Sequence, residues 1–138
     1  MEWTGLENKV VIITGGAAGI GLAVAKAFVE VGAKVMIADF SENTGQSVAE
    51  EASNVGPGEA SFSRCDVTKK EDVDQMIQST LDAWGSIDAL VNNAGINVPR
   101  LLVDPAGKEE LTEDVWDKVF AVNVKGQFLC AQAAARIM

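Results

Sequence analysis

The 138 residues contain no histidine and no tyrosine, only two cysteines and three prolines, and 11 Lys plus Arg against 20 Asp plus Glu. Without histidine, and with Cys65 and Cys130 far apart in the chain and outside any CxxC spacing, no metal centre is expected. The two thiols read as buried and free, in keeping with a reducing, cytoplasmic compartment. A formal net charge of -9 repels a polyanion, so neither DNA nor RNA is an expected partner. No apolar run approaches the length of a membrane span, and the opening MEWTGLENK has no apolar core of a signal peptide. The length suits one domain, covering 1–138.

What is present is organised around KVVIITGGAAGIG at 9–21. Val10, Val11, Ile12 and Ile13 form an unbroken β-branched run, the pattern of a parallel strand covered on both faces. Glycines follow, and an apolar helical pattern starts at Gly19 and Ile20. Glycine permits a sharp turn and close approach of backbone to a ligand. A helix starting there turns unpaired N–H groups and its positive dipole end toward the turn, which suits a pyrophosphate. Gly15, Gly19 and Gly21 are spaced GxxxGxG after Thr14, not GxGxxG, so an ordinary turn remains the alternative.

Down the chain, a helix is expected over 20–31, with Ile20, Val24, Ala27, Phe28 and Val31 inward, Lys26 and Glu30 paired outside, and Gly32 ending it. A strand over 33–38 leads to Asp39, 20 residues beyond Gly19, where a ribose-binding carboxylate is expected. Such an acid accepts the two ribose hydroxyls and repels a 2′-phosphate. Phe40, Gly16 and Ala18 bring no compensating cation, so the expected cofactor is NAD, preferred over NADP. A capping or loop carboxylate is the alternative.

Ser41 is placed to cap a helix over 42–53, and a strand over 60–64 ends near Asp66. Asp66 and Val67 stand where an adenine would rest, the carboxylate accepting its exocyclic amine. Alternatively Asp66 and Thr68 cap the helix over 69–84, with Thr68 and Glu71 at capping-box spacing; both readings are compatible. Val73, Met76, Ile77, Leu81 and Trp84 form that helix's core stripe. The strand over 87–91 runs into Asn92, Asn93, Ala94 and Gly95, at a carboxyl end where open parallel sheets bind ligands. Asn side chains can tie adjacent backbone there, though a plain turn is the alternative. The connection 96–110 is long enough to line a substrate pocket, with Leu101 to Val103 packing on the body. A helix over 113–123 continues toward Ile137, straight or with a change of direction near Gly126.

TGGAAGIG at 14–21, Asp39, NNAG at 92–95 and Asn123 within VNVKG occur together and in this order. In this the whole chain resembles the short-chain dehydrogenase/reductase (SDR) family. The resemblance implies an α/β fold, a Rossmann-like doubly wound parallel sheet of about four strands with flanking helices. It implies a cofactor site of Thr14, Gly15, Gly19, Ile20, Gly21, Asp39, Asp66, Val67, Asn92, Ala94 and Gly95. It also implies a catalytic Asn123, which holds a water in the proton relay, although an Asn bonded to helix backbone is the alternative. Substrates would be a small-molecule alcohol or ketone, and the assembly a homodimer or homotetramer. The stretch 96–105, INVPRLLVDP, is similar to that of sorbitol-6-phosphate 2-dehydrogenases, implying a sugar alcohol phosphate, with Arg100 at the pocket mouth. Other polyols, keto sugars, steroids and 3-oxoacyl groups compete.

One departure is decisive. Family members act through a Ser and a YxxxK pair, in which the Tyr moves the proton and the Lys lowers its pKa. With no tyrosine, the chain is expected to be the N-terminal piece of a longer oxidoreductase and inactive alone. A noncatalytic nucleotide-binding or scaffold protein is the other reading.

Overall fold

The computed structural model describes residues 2–138. Four strands, β1 (Val10–Thr14), β2 (Lys34–Asp39), β3 (Glu59–Arg64) and β4 (Ala89–Val91), form one sheet in the order β3-β2-β1-β4. All pairings are parallel, with Val11 opposite Val35 and Ala89, and Asp39 opposite Arg64. The helices are α1 (Gly19–Glu30), α2 (Glu42–Ser53), α3 (Lys70–Trp84), α4 (Glu113–Phe120) and α5 (Gly126–Ala135), with a π-helical turn, Ala121–Lys125, joining the last two.

The β-branched run of β1 is buried throughout because the sheet is covered on both faces. The pleat sends Val11 and Ile13 to one side, where Ala25, Val29, Ala49 and Ala52 of α1 and α2 meet them. It sends Ile12 and Met36 to the other, against Val73 and Met76 of α3 and Cys130 and Ala134 of α5. This is the doubly wound arrangement expected. Strand order reverses direction at β1, so a crevice opens between the carboxyl ends of β1 and β4.

Several local expectations are corrected. The buried face of α1 is Gly21, Ala25 and Val29, flanked by half-buried Val24 and Phe28, while Ile20 and Ala27 are exposed. Lys26 pairs with Glu51 of α2 rather than Glu30, since the inter-helix partner lies within its reach. Ser41 occupies the N-cap of α2, but its hydroxyl makes no cap bond. The capping box at Thr68 does not form: α3 starts at Lys70 with Lys69 at the N-cap, because Thr68 is committed to Asp66. β4 begins two residues late, at Ala89. Asp88 explains this: its backbone N–H donates to Val10 O at 2.8 Å, while its carboxylate accepts Val10 N–H at 2.8 Å, so a side chain replaces the first rung. Leu101, Leu102 and Val103 are exposed rather than packed.

Candidate functional site

The site is built where β1 ends. Gly15 takes a positive φ of 65° and sits so close to β4 that a Cβ there would lie 2.9 Å from Ala94 Cα. Thr14, almost completely buried, accepts the Asn93 and Ala94 backbone N–H groups on its hydroxyl, each at 3.1 Å. Asn93 completes the seam by donating its amide to Thr14 O and Gly15 O, each at 3.1 Å. The glycine turn and the end of β4 are thereby one rigid unit. Ala18, the N-cap of α1, offers no side-chain acceptor, which leaves the first N–H groups of that helix available to a ligand.

Asp39 closes the second side. Its carboxylate accepts Ala17 N–H at 3.0 Å and Ser41 N–H at 3.2 Å, which fixes the acid against the glycine turn while each oxygen keeps a lone pair. Phe40 beside it is exposed.

The third side is the turn after β3. Asp66 accepts the Thr68 hydroxyl at 2.6 Å and the Thr68 N–H at 3.0 Å on one oxygen. Burial opposes its ionisation, but the Thr68 bonds outweigh that, with Lys69 and Arg64 adding, and the carboxyl stays below its ordinary range. It is therefore an anionic acceptor at neutral pH. Cys65, buried beneath the same turn, is pushed the other way, to about 12, by burial first and then by Cys130, Asp72 and Asp66. A thiol so raised is inert filling rather than a nucleophile.

These three sides enclose a cavity of about 760 Å³, a size suited to a cofactor. Of the residues singled out from sequence, Gly15, Gly19, Asp39, Asp66, Val67, Ala94 and Gly95 line it. Thr14, Ile20, Gly21, Asn92 and Asn123 do not. Thr14 and Gly21 lie behind the wall, Gly21 because a Cβ would overlap the Gly15 carbonyl oxygen and approach Asn93 Nδ2 to 2.5 Å. Ile20 points to solvent. Asn92 donates to Gln127 O on α5 at 3.3 Å, on the face opposite the glycine turn. Asn123, in the π turn, grips the backbone of Ile96: Oδ1 accepts its N–H and Nδ2 donates to its carbonyl, both at 2.8 Å. The amide retains one donor and one acceptor.

The lining also contains residues left out of the cofactor set expected from sequence, among them Asn93, Phe40, Cys65, Thr68, Lys118 and Val122. Asn93 was legible from the pleat: side chains alternate, so if Asn92 faces α5, Asn93 faces the glycine turn. Lys118 of α4 and Val122 of the π turn had no such signal, because their approach depends on how 96–110 folds back. Arg100 is not in the lining; it lies 3.6 Å from Glu109 and donates to Pro99 O. Its loop is tied by Asp104, whose carboxylate accepts the N–H groups of Ala106, Lys108 and Glu109 at 3.0, 2.9 and 2.7 Å. Among the described residues no cluster of acids and thiols could hold a metal ion, and no helix is long and apolar enough to cross a membrane.

The family model described as short chain dehydrogenase matches residues 9–138. Similar proteins include short-chain dehydrogenase reductase 3a of Arabidopsis thaliana, 41% identical over 96% of this chain and 49% of that protein. Secoisolariciresinol dehydrogenase of Forsythia intermedia is 40% identical over 96% of this chain and 46% of its own length. Sorbitol-6-phosphate 2-dehydrogenase of Klebsiella pneumoniae is 40% identical over 99% of this chain and 49% of its own. A crystal structure of a short chain dehydrogenase from Mycobacterium smegmatis superposes with a TM-score of 0.87 at 34% identity, over 96% of this chain and 53% of that one. The chain thus spans about half the length of the curated relatives it matches. With its parallel sheet, its glycine turn and this match, the chain belongs to the short-chain dehydrogenase family of oxidoreductases.

Proposed function

We propose that the chain is the cofactor-binding part of an NAD-dependent oxidoreductase interconverting a secondary alcohol and a ketone. The observation that carries this reading is the convergence of the glycine turn, the Asp39 carboxylate and the end of β4 on one cavity at the carboxyl ends of parallel strands. A nicotinamide dinucleotide fits the residues present. The close approach at Gly15 and the free N–H groups of α1 suit its pyrophosphate. Asp39 suits the adenosine ribose, and Asp66 with Val67 the adenine. Ala94 and Gly95 leave room for the second ribose and its ring. Thr14, Gly21 and Asn92 support this cradle from behind, and Ile20 contributes through its place in the first turn of α1.

When bound, the cofactor supplies or accepts the hydride. The chain's own residues orient it and hold the loop above it. Asn123 fixes Ile96, and its remaining donor and acceptor suit a water in a proton relay. What the 138 residues lack is the tyrosine that the resemblance assigns as the acid/base group for the substrate oxygen. We therefore read 1–138 as the N-terminal part of a single NAD(P)-binding domain within a longer enzyme, consistent with its covering about half of its relatives. By itself it is expected to bind nucleotide weakly and not to turn over.

For the whole enzyme, a sugar alcohol phosphate such as sorbitol 6-phosphate is the substrate we favour, on the loop at 96–105 and the likeness to the Klebsiella protein. Arg100 would exchange Glu109 for the phosphate. Trp116, Phe120, Val124 and Phe128, exposed at four-residue spacing along α4, the π turn and α5, suit pairing with a second copy in a homodimer or homotetramer. The cytoplasm is the expected site of action, given two buried free thiols.

The test is calorimetric titration of the chain with NADH, NADPH and ADP-ribose. The expected result is tighter binding of NADH than NADPH, reversed or abolished in Asp39→Ser. Tighter NADPH binding by the unaltered chain overturns the Asp39 assignment, and turnover of an alcohol by the 138 residues overturns the partial-enzyme reading.

A further inference from the structure

Arg64 and Asp72 lie outside every motif that marks the family in this chain, yet they connect two walls of the cavity. One oxygen, Asp72 Oδ2, accepts both Arg64 Nη1 and the backbone N–H of Asp66, each at 2.9 Å. The same Arg64 guanidinium lies 5.0 Å from the centre of the Phe40 ring. Phe40 follows the ribose-side acid Asp39, and Asp66 follows the thiol at the end of β3. The two are held together by a line of contacts running from Phe40 through Arg64 and Asp72 to the Asp66 backbone.

Phe40 is otherwise an exposed ring, and the Asp66 turn is otherwise held by Thr68, by the Lys69 N–H on Asp66 O and by the Cys65 N–H on Asp39 O. A guanidinium is suited to the coupling because its plane stacks on an aromatic face while its edge donates to a carboxylate; an ammonium does one or the other. Arg64 and Asp72 are half-buried, so the pair is screened, and its worth lies in geometry more than in fold stability.

Building on the dinucleotide reading above, we propose that Arg64 and Asp72 are positioning residues that set the adenine specificity of this site, by fixing the Phe40 ring and the Asp66 carboxylate in one mutual arrangement. An adenine lying against Phe40 then presents its exocyclic amine to Asp66. A base with a carbonyl in place of that amine brings an acceptor against a carboxylate and is rejected.

The experiment compares ADP-ribose with its hypoxanthine analogue, inosine-diphosphate-ribose, by calorimetry on the 138-residue chain and on Arg64→Ala, Arg64→Lys, Asp72→Ala and the double Ala variant. The unaltered chain is expected to favour ADP-ribose by about tenfold, the size of one charge-assisted hydrogen bond. Each single Ala variant is expected to bring the two ligands within about twofold, Arg64→Lys to restore little, and the double variant to lose no more than either single one. Lowered stability alone would weaken both ligands equally, so the ratio separates positioning from folding. An unchanged ratio in Arg64→Ala, full rescue by lysine, additive losses, or a wild type that does not discriminate the two bases overturns the proposal. No ADP-ribose binding by the unaltered chain would instead overturn the dinucleotide reading on which it rests.

Discussion

Asn93 Nδ2 lies 3.1 Å from the Gly15 carbonyl oxygen, in the space beside which a Cβ at Gly21 would stand. The third glycine of the motif therefore acts through its neighbours: it lets the asparagine just after β4 reach the carbonyls of Thr14 and Gly15. Removing the amide leaves the Thr14 and Gly15 carbonyls short of a donor, and Asn93→Ala is expected to cost about 1–3 kcal/mol. Asn93→Asp should cost more, because at neutral pH it sets a charged acceptor against two acceptors. Gly21→Ala, which must displace backbone, should be the most damaging. Urea unfolding checks the order, and an Asn93→Ala as stable as the parent would remove the seam from the account.

Asn123 gives a separate prediction. Both of its bonds go to one residue, Ile96, so it staples the start of the long connection to the π turn. Asn123→Asp loses the donor and Asn123→Leu loses both bonds. Either is expected to cost about 1–3 kcal/mol and to speed amide hydrogen exchange in 96–110, with exchange in β1 and β2 following only the global loss. Equal acceleration everywhere would show that the staple is not local.

Asp66 makes the turn after β3 acid-sensitive. Its folded carboxyl is held below its ordinary value of 3.8, so the associated stability is fully present above that value and is lost as pH falls through the lower folded one. Thr68→Val removes the hydroxyl bond that contributes most to the lowering. The carbon signals of Asp66, followed by NMR from pH 6 to 2, should titrate lower in the parent than in Thr68→Val; coincident curves would contradict the assignment.

Much of this was legible in the sequence because strand and helix alternate with clear period changes. The β-branched run at 10–13 and the stripe Val73, Met76, Ile77 say which faces are buried, and they are. Asp39, Asp66, Val67, Ala94 and Gly95 could be placed because parallel strands put their carboxyl ends on one edge. The failures were of three kinds. Polar side chains chose between near-equivalent partners, as when Thr68 bonded Asp66 instead of starting α3, or Lys26 took Glu51. Both asparagines were read as tying backbone, but the one that joins the glycine turn and the lining is Asn93, while Asn92 turns to α5. The contacts of Arg64 with Phe40 and Asp72 join residues 24 and 8 positions apart in a geometry that no local pattern encodes.

The thiols supply the alkaline counterpart. Burial pushes Cys130 from 9.0 to about 11 and Cys65 from 9.0 to about 12, while both titrate normally once the chain unfolds. An acid whose folded pKa is raised stabilises the fold below its unfolded pKa, and that contribution is lost as pH rises toward the folded value. From about pH 9 to 11 the unfolded chain releases two protons that the folded chain keeps, so stability should fall by roughly 1.4 kcal/mol per pH unit for each thiol. The comparison is with Cys65→Ala and Cys130→Ala. Each is expected to remove about half of the thiol-dependent slope, whatever it does to stability at pH 7. Urea midpoints measured under reducing conditions from pH 8 to 11 check this. Identical slopes in all three proteins, or rapid labelling of either thiol in the native chain at pH 8, would mean that the cysteines are not buried as the fold places them.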